Sequence, residues 1–405
     1  MATSTLTTLD AIFREMNPDW DIESAALLKS PFMAMLAQDK KARGDQWVIP
    51  VQYGLGGGRS ATASTAITNR DGAKVTKFNV TAVRDFSIFA IDGLTVASGK
   101  ENGALVDALE FEVTNAKNKA VDSLCRGLFR SSAGNIAQIS THTNVSGTIL
   151  SLQNVEDAVH FNIGDEIKAS TLATGASLKT GTATITNVNY QSGTLTTDAA
   201  WSGQITGFAN TDYLYVEGDA TLRFSGLEGW IVGQNVAATS YFGVDRTLSP
   251  TMLAGWQRSQ GGDAIEECLY KACTDITRVG GQPDFIYMHP SDYRDLVLSL
   301  GSKIMYTDAQ FKKEKVVFPF KGVSLAVGSK EVTVLADPFC QRKVAWVVQS
   351  NAWQLKTVGP APKVLDEDGL AMYRVTNDDA YEGRIGVYGN LVCKLPKANC
   401  RVDLA

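Results

Sequence analysis

Histidine is scarce in this chain: His142, His160 and His289 are three among 405 residues. A metal centre built on imidazole needs companions at ligand spacing, and three scattered histidines do not supply them. The six cysteines, Cys125, Cys268, Cys273, Cys340, Cys393 and Cys400, include no C-x-x-C pair. A structural zinc site wants close ligand pairs, so this scatter reads as reduced thiols in a cytoplasm. Long apolar runs are missing, so no segment is expected to span a bilayer. The start, MATSTLTTLDAIFREMNPDW, lacks the basic-then-apolar order of a signal peptide. A positive balance is missing too: the formal net charge is -5. That argues against a free-standing nucleic-acid binder held by phosphate contacts.

What is present is a folded composition, 44% hydrophobic and 20% charged, in a chain long enough for two or three domains. Residues 1–46 read as an arm with short helical pieces, interrupted at Pro31 and ending at Gly44. Strand-like alternation follows. QWVIPVQYGLGGGRSATAS and AKVTKFNVTAVRDFSIFAI read as two long strands of one hairpin, with Phe78, Val80, Ala82, Phe86, Ile88 and Ala90 on one face at period two. The tip between them is long and rich in Gly and Thr, which points to an arm that reaches for a partner. A capping box at Ser98 and Glu101 then opens the longest helical signal. Its apolar stripe is Leu105, Leu109, Val113, Ala116, Ala120, Leu124 and Leu128; Gly134 and Asn135 supply the stop. At 1.5 Å per residue this is a spine of roughly 45 Å.

Residues 141–222 change character. Short alternating runs such as TATITNVNY and TDYLYVEGD, separated by turn residues, read as an inserted all-β barrel or sandwich. The segment holds eight acids against two lysines, a net of -6, which leaves +1 for the rest of a chain at -5. On that balance the module is expected to face solvent. Beyond residue 250 helices and strands mix. GGDAIEECLYKACTDITRVGG reads as an amphipathic helix with an N-terminal box at Asp263 and Glu266 and a stop at Gly280 and Gly281. The stripe Ile265, Cys268, Leu269, Ala272, Ile276 and Val279 makes its two cysteines packing residues. The last 25 residues read as one long strand broken at Pro396.

His289, in DFIYMHPSDYRDL, is the residue best placed for chemistry. A nucleophile's base needs a Ser or Cys and an orienting acid from other segments. The alternative is plainer: Pro290 at the first helical position, Asp292 in the first turn and Gly301 at the close make a well-formed helix. GLGGGRS, Gly54–Ser60, falls short of a phosphate loop, since Arg59 stands where a lysine is required and no helix is expected after it. LDEDGL, around Asp366–Gly369, lacks the 12-residue calcium pattern and reads as a turn. No catalytic, cofactor or metal constellation emerges.

The order of these pieces resembles the major capsid proteins of tailed bacteriophages, whose fold is shared with encapsulin shells. The resemblance rests on SPFMAMLAQ followed by GDQWVIPVQYG, on AVRDFSIFAIDGLTVASGKENGALVDALEFEVTNAKNKAVDSLCRGLFR, on GGQPDFIYMHPSDYRDLVLSL and on GNLVCKLPKANCRVDLA. It implies an α+β tailed-phage capsid fold: N-terminal arm 1–46, extended β-hairpin loop 47–95, spine helix and peripheral domain 96–140, inserted all-β domain 141–222, peripheral return 223–250, axial domain 251–375 and peripheral closing strand 376–405. It also implies a structural virion protein, not an enzyme. Copies would assemble as pentamers and hexamers into an icosahedral shell around double-stranded DNA, in the host bacterial cytoplasm. The arm would lie over one neighbour and the loop over another. Expected partners are further copies, a separate scaffolding protein (the chain starts at the arm), a portal protein and DNA held without sequence specificity; a decoration protein is a candidate and a membrane is not. Arg59 and Arg70 at the loop tip are expected to make intersubunit charge contacts, and Phe78, Phe86 and Ile88 to pack there. Two alternatives stand: an encapsulin-type compartment, and an enzyme using His289 and Asp292 with a glycan-binding β module.

Overall fold

The computed structural model describes residues 29–405 apart from 42, 95–103, 234–235, 237–239, 301–305, 310–319, 328–329, 367–368 and 377. Most of the arm, the Ser98–Glu101 capping box and the Gly301 stop lie outside the described residues, as do the side chains of Leu105 and Leu109. Among the described residues no helix is long and apolar enough to cross a membrane. The fold is α+β.

Its spine is the helix Ala104–Phe129, about 39 Å long at 1.5 Å per residue. Val113, Ala116, Ala120, Leu124 and Leu128 are buried as the stripe requires, joined by Val121, Cys125 and Phe129. The helix ends five residues before Gly134. That glycine serves a turn instead: its φ is +82°, and a Cβ there would meet the Asp219 carbonyl at 2.7 Å.

The main core gathers round this helix. Ser30 caps the short helix Pro31–Met35 by accepting from the Met33 N–H, with Pro31 at its first position. Pro31 therefore starts a helix, where the sequence pattern reads a break. Phe32 stands among Phe129 (5.1 Å between ring centroids), Tyr287 (5.2 Å) and Trp353 (6.4 Å). Strand Ala37–Asp39 then pairs in parallel with Trp353–Thr357. The described part of the arm thus contributes Phe32, Met33 and Leu36 to the core of its own subunit.

Strands Gln46–Gly54 and Lys74–Thr81 form the expected hairpin. The second half departs from expectation. The chain breaks at Ala82, and Val83–Asp92 leaves the hairpin to pair with the long strand Ala380–Cys393. The inward face changes parity at the break: Phe78 and Val80 are buried before it, Phe89 and Ile91 after it, while Phe86, Ile88 and Ala90 are exposed. A one-residue break exchanges the two faces of a strand. Glycines on the long strand accept the large partners: a Cβ on Gly383 would lie 2.1 Å from the Phe89 ring that opposes it.

The insert forms a six-stranded sheet, in the order 137–138, 213–216, 166–170, 183–189, 194–197, 149–151. A bridge between Ile139 and Leu152, with the Ser140 N–H on the Ser151 carbonyl and the Gln153 N–H on the Gln138 carbonyl, joins its two ends. It is a closed barrel with its own core, in which Ile136, Ile167, Ile185, Leu195, Trp201 and Leu214 are buried.

A seven-stranded mixed sheet makes the last lobe, in the order 256–259, 400–403, 344–348, 285–288, 330–336, 320–327, 306–309. VAWVV, residues 344–348, is buried throughout because the sheet is covered on both faces. Val344, Trp346 and Val348 join the main core, Ala345 and Val347 the lobe core under helices Ile265–Arg278 and Pro290–Leu300. The first of these helices has Ala264 at its N-cap and no side-chain cap. Asp263 instead pairs with Lys271 at 2.8 Å. Its stop is as expected: Gly280, at φ +81°, donates to the Thr277 carbonyl, and Gly281 to that of Ile276. The C-terminal run is two strands in two sheets, since Cys400–Asp403 leaves the sheet of Ala380–Cys393 and pairs with 256–259 and 344–348. Strands 353–357, 363–364 and 372–374 pair with Ala380–Cys393 and not with the lobe.

Candidate assembly surfaces and the insert junction

The base of the hairpin is anchored within the subunit. Trp47, Ile49, Val51, Phe78 and Val80 are buried, and the Asn79 N–H donates to the Phe242 carbonyl at 2.9 Å. Phe78 lies against Trp230 (5.1 Å) and Tyr241 (6.3 Å). Its side chain is fully enclosed there and has no surface left for a neighbour, so the expectation of an intersubunit role for Phe78 is corrected. Phe86 and Ile88, 48% and 57% exposed, lie on the outward face of Val83–Asp92.

Burial stops at Val51. The tip, residues 55–73, carries a helix Ala63–Thr68 with no buried residue. The sequence pattern predicts no helix there; Gly58 allows it by lying close under the helix, where a Cβ would meet the Ala66 carbonyl at 1.8 Å. The Gly57 N–H is taken by the Asp71 carbonyl at 2.7 Å, so the glycines close a turn. Arg59 and Arg70 are exposed on this tip, and neither makes an ion pair among the described residues. Leu55 and Ile67 are 91% and 65% exposed beside them.

His289 ends strand Phe285–Met288, and its Nδ1 accepts from the Ser291 N–H at 3.1 Å while the Tyr293 N–H donates to its carbonyl. Both contacts begin the next helix. Burial pushes its pKa down. Asp292 is buried; it pairs with Arg342 and accepts from the Lys343 N–H at 2.8 Å. Burial pushes its carboxyl up to about 6. The two residues start and tether a helix. No group of three metal-ligating side chains occurs among the described residues, and all six cysteines are buried and outside any disulfide. Asp366 accepts from the Gly369 N–H in a turn.

The charge of the insert is placed differently from expectation. Four of its eight acids pair with cations of the body: Glu156 with Arg342 (3.4 Å), Asp157 with Arg130 (3.0 Å), Asp165 with Lys119 (3.3 Å) and Asp219 with Arg223 (3.5 Å). Two more meet its own lysines, Asp212 with Lys179 and Glu217 with Lys168. Only Glu166 and Asp198 are left without such a pair among the described residues. The acids therefore face the spine helix and the lobe more than solvent. Arg126 adds a bond to the His160 carbonyl at 3.1 Å, and the His160 ring stacks on Phe339 at 6.3 Å. Arg130 and Asp157 are both buried, and burial raises the Asp157 carboxyl against the pull of Arg130.

Two further carboxylates, one half-buried and one buried, carry no local sequence signal. Asp85 takes a two-pronged pair from Arg223 (2.7 and 3.0 Å) and the Ser123 hydroxyl at 2.7 Å. Asp337, fully buried, accepts from the Ser30 hydroxyl (2.5 Å), the Phe32 N–H (3.2 Å) and the Phe339 N–H (3.0 Å), and so holds the arm.

No protein-family model matches the sequence, and no curated protein matches it. Solved structures do. The chain in the cyanophage A-1(L) capsid asymmetric unit aligns at a TM-score of 0.52 and 10% identity, over 94% of this chain and 92% of that one. A chain of the encapsulin complex from Synechococcus elongatus aligns at 0.43 and 8% identity, over 93% and 88%. One from Mycobacterium phage Bobi aligns at 0.41 and 10% identity, over 92% and 90%. The cyanophage match takes in nearly the whole of both chains, and at such identity what is shared is architecture: this chain has the fold of the tailed-phage capsid proteins.

Proposed function

We propose that the chain is a non-enzymatic structural subunit of a virion. Copies assemble as pentamers and hexamers into the icosahedral shell that encloses the double-stranded DNA of a tailed bacteriophage. The observation that carries this reading is the free hairpin tip. Residues 55–73 project beyond the last buried residue, with Leu55 and Ile67 exposed and, alongside, two arginines that have no ion pair among the described residues. Apolar side chains held out on a defined element mark a surface that another molecule covers. In this reading the tip lies on an adjacent copy, where Arg59 and Arg70 meet its carboxylates. Phe86 and Ile88 pack against a neighbour from the outward face of their strand. Each contact is modest, at roughly 25 cal/mol per Å² of apolar area, and repetition round a closed shell makes it sufficient. A scaffolding protein and a portal protein are the further partners of assembly in the host cytoplasm.

Replacing residues 55–73 by a two-residue Asn-Gly turn tests this. The base of the hairpin keeps its register, so a soluble subunit with the parent circular dichroism spectrum is expected, and negative-stain images should show no closed particles. Normal polyhedra from the shortened chain would sink the proposal. In parent particles, nuclease-protected DNA is expected; protein cargo in its place would make the shell a compartment.

A further inference from the structure

Several segments meet at a cleft of about 500 Å³: the turn after the spine helix, the insert at Thr174, residues Glu228, Gly229 and Val232, residues Tyr241 and Arg246, and the edge of the seven-stranded sheet. One of its linings is Arg246, only 8% exposed. Its Nη1 donates to the carbonyls of Gly229 (2.9 Å) and Trp230 (3.2 Å), and its guanidinium carbon lies 4.0 Å from the centre of the Tyr241 ring. Carbonyls and a ring face orient a cation without neutralising it. No carboxylate pairs with Arg246 among the described residues, and its Nε and Nη2 have no acceptor there, yet neither is sealed from solvent. Burial disfavours its charge. Arg401, also in the lining, is in a different state: Glu228 (3.5 Å) and Asp403 (2.7 Å) compensate it. Glu228 is further engaged by the Ser131 N–H and the Gln341 amide. Among the described residues the cleft thus holds one uncompensated guanidinium, set among hydroxyl and amide groups such as Ser131, Thr174 and Asn135.

We propose that this cleft binds a small oxyanion, of the phosphate or carboxylate class, on the Nε–Nη2 edge of Arg246. That edge offers two parallel N–H groups at the spacing of two oxygens on one centre. A partly desolvated cation strengthens the bond, and the cleft has the size of a small-molecule site. An anion seated there would touch both the insert and the body.

Titration calorimetry of the purified full chain, with inorganic phosphate and separately with succinate at fixed ionic strength, tests the proposal. Saturable binding of one anion per chain is expected, and the tighter of the two identifies the class. Arg246→Gln should abolish it; because that change also frees two buried carbonyls, surface variants at Thr174 provide the second arm. Thr174→Asp sets a like charge at the lip and should weaken binding by about tenfold or more. Thr174→Asn should bind as the parent does. Absence of saturable binding by the parent with both anions, or equal binding by parent and Thr174→Asp, overturns the proposal.

Discussion

Asp337 and His160 move the stability of this chain in opposite directions as pH falls. Asp337 accepts three hydrogen bonds, which favour its charge, but complete burial outweighs them and lifts its pKa to about 6. An unfolded aspartate titrates near ~3.9. The folded state therefore takes up this proton first, and stability is gained as pH falls from about 6 towards ~4. Asp292, also lifted to about 6, acts with the same sign. His160 acts against them. Burial, then Arg126 and Arg130, hold it well below 6.5. Its contribution is complete above that value and is lost as pH falls below it, because the unfolded chain protonates and the folded chain resists. His160→Phe keeps the stack on Phe339 and removes that loss. Its urea midpoint, compared with the parent's, should rise between pH 7 and pH 5; parallel profiles would contradict this assignment. The same residues show what sequence can carry. His289 was legible as a helix start because Pro290 and Asp292 are local signals. Asp337 was not, because its donors Ser30 and Phe32 lie some three hundred positions away.

At the scale of elements, the hairpin, the spine stripe, the Gly280–Gly281 stop and the β insert were legible because each is written in short-range periodicity or turn chemistry. The face of Val83–Asp92 was not. Alternation runs unbroken through Ala82, and only the exchange of partner, from Gln46–Gly54 to Ala380–Cys393, decides which parity points inward. Asp85 carried the one available clue: it shares the buried parity of Phe89 and Ile91, where an acid demands a partner, and Arg223 supplies it. Membership of strands 353–357, 363–364, 372–374 and 400–403 in their sheets was likewise set by distant pairing. The glycines of Ala380–Cys393 give a direct test of this pairing. Gly383→Ala places a methyl where the Phe89 ring lies, so Phe89 must leave its rotamer; a loss of about 1–3 kcal/mol in equilibrium unfolding is expected. Combining it with Phe89→Ala should recover part of that loss, since the obstructing ring is gone. Strictly additive losses would place Phe89 elsewhere.

For the whole molecule, the insert is a separate barrel held on by charge. Its core shares no buried residue with the main core or the lobe core, both of which contain nothing between residues 137 and 217. Its ends lie side by side, with Tyr213 opposite Gln138. Excising 137–217 across a short linker should therefore leave a cooperatively folding body. Seven acids and two lysines leave with it, so the formal charge rises from -5 to 0. Excision removes the counterion of Arg130, for Asp157 is its ion pair and its Nε has no partner among the described residues. Removing one member of a buried pair costs about 3–5 kcal/mol, most of it the stranded charge. Arg130→Met should then have opposite effects in the two backgrounds. In the full chain it strands Asp157 and lowers the melting temperature. In the excised chain it removes the stranded guanidinium and raises it, by about 2–4 °C for each kcal/mol recovered. A fall in both backgrounds would mean that Arg130 serves the body through its own packing, and that the charge of the insert is not what seats it on the spine.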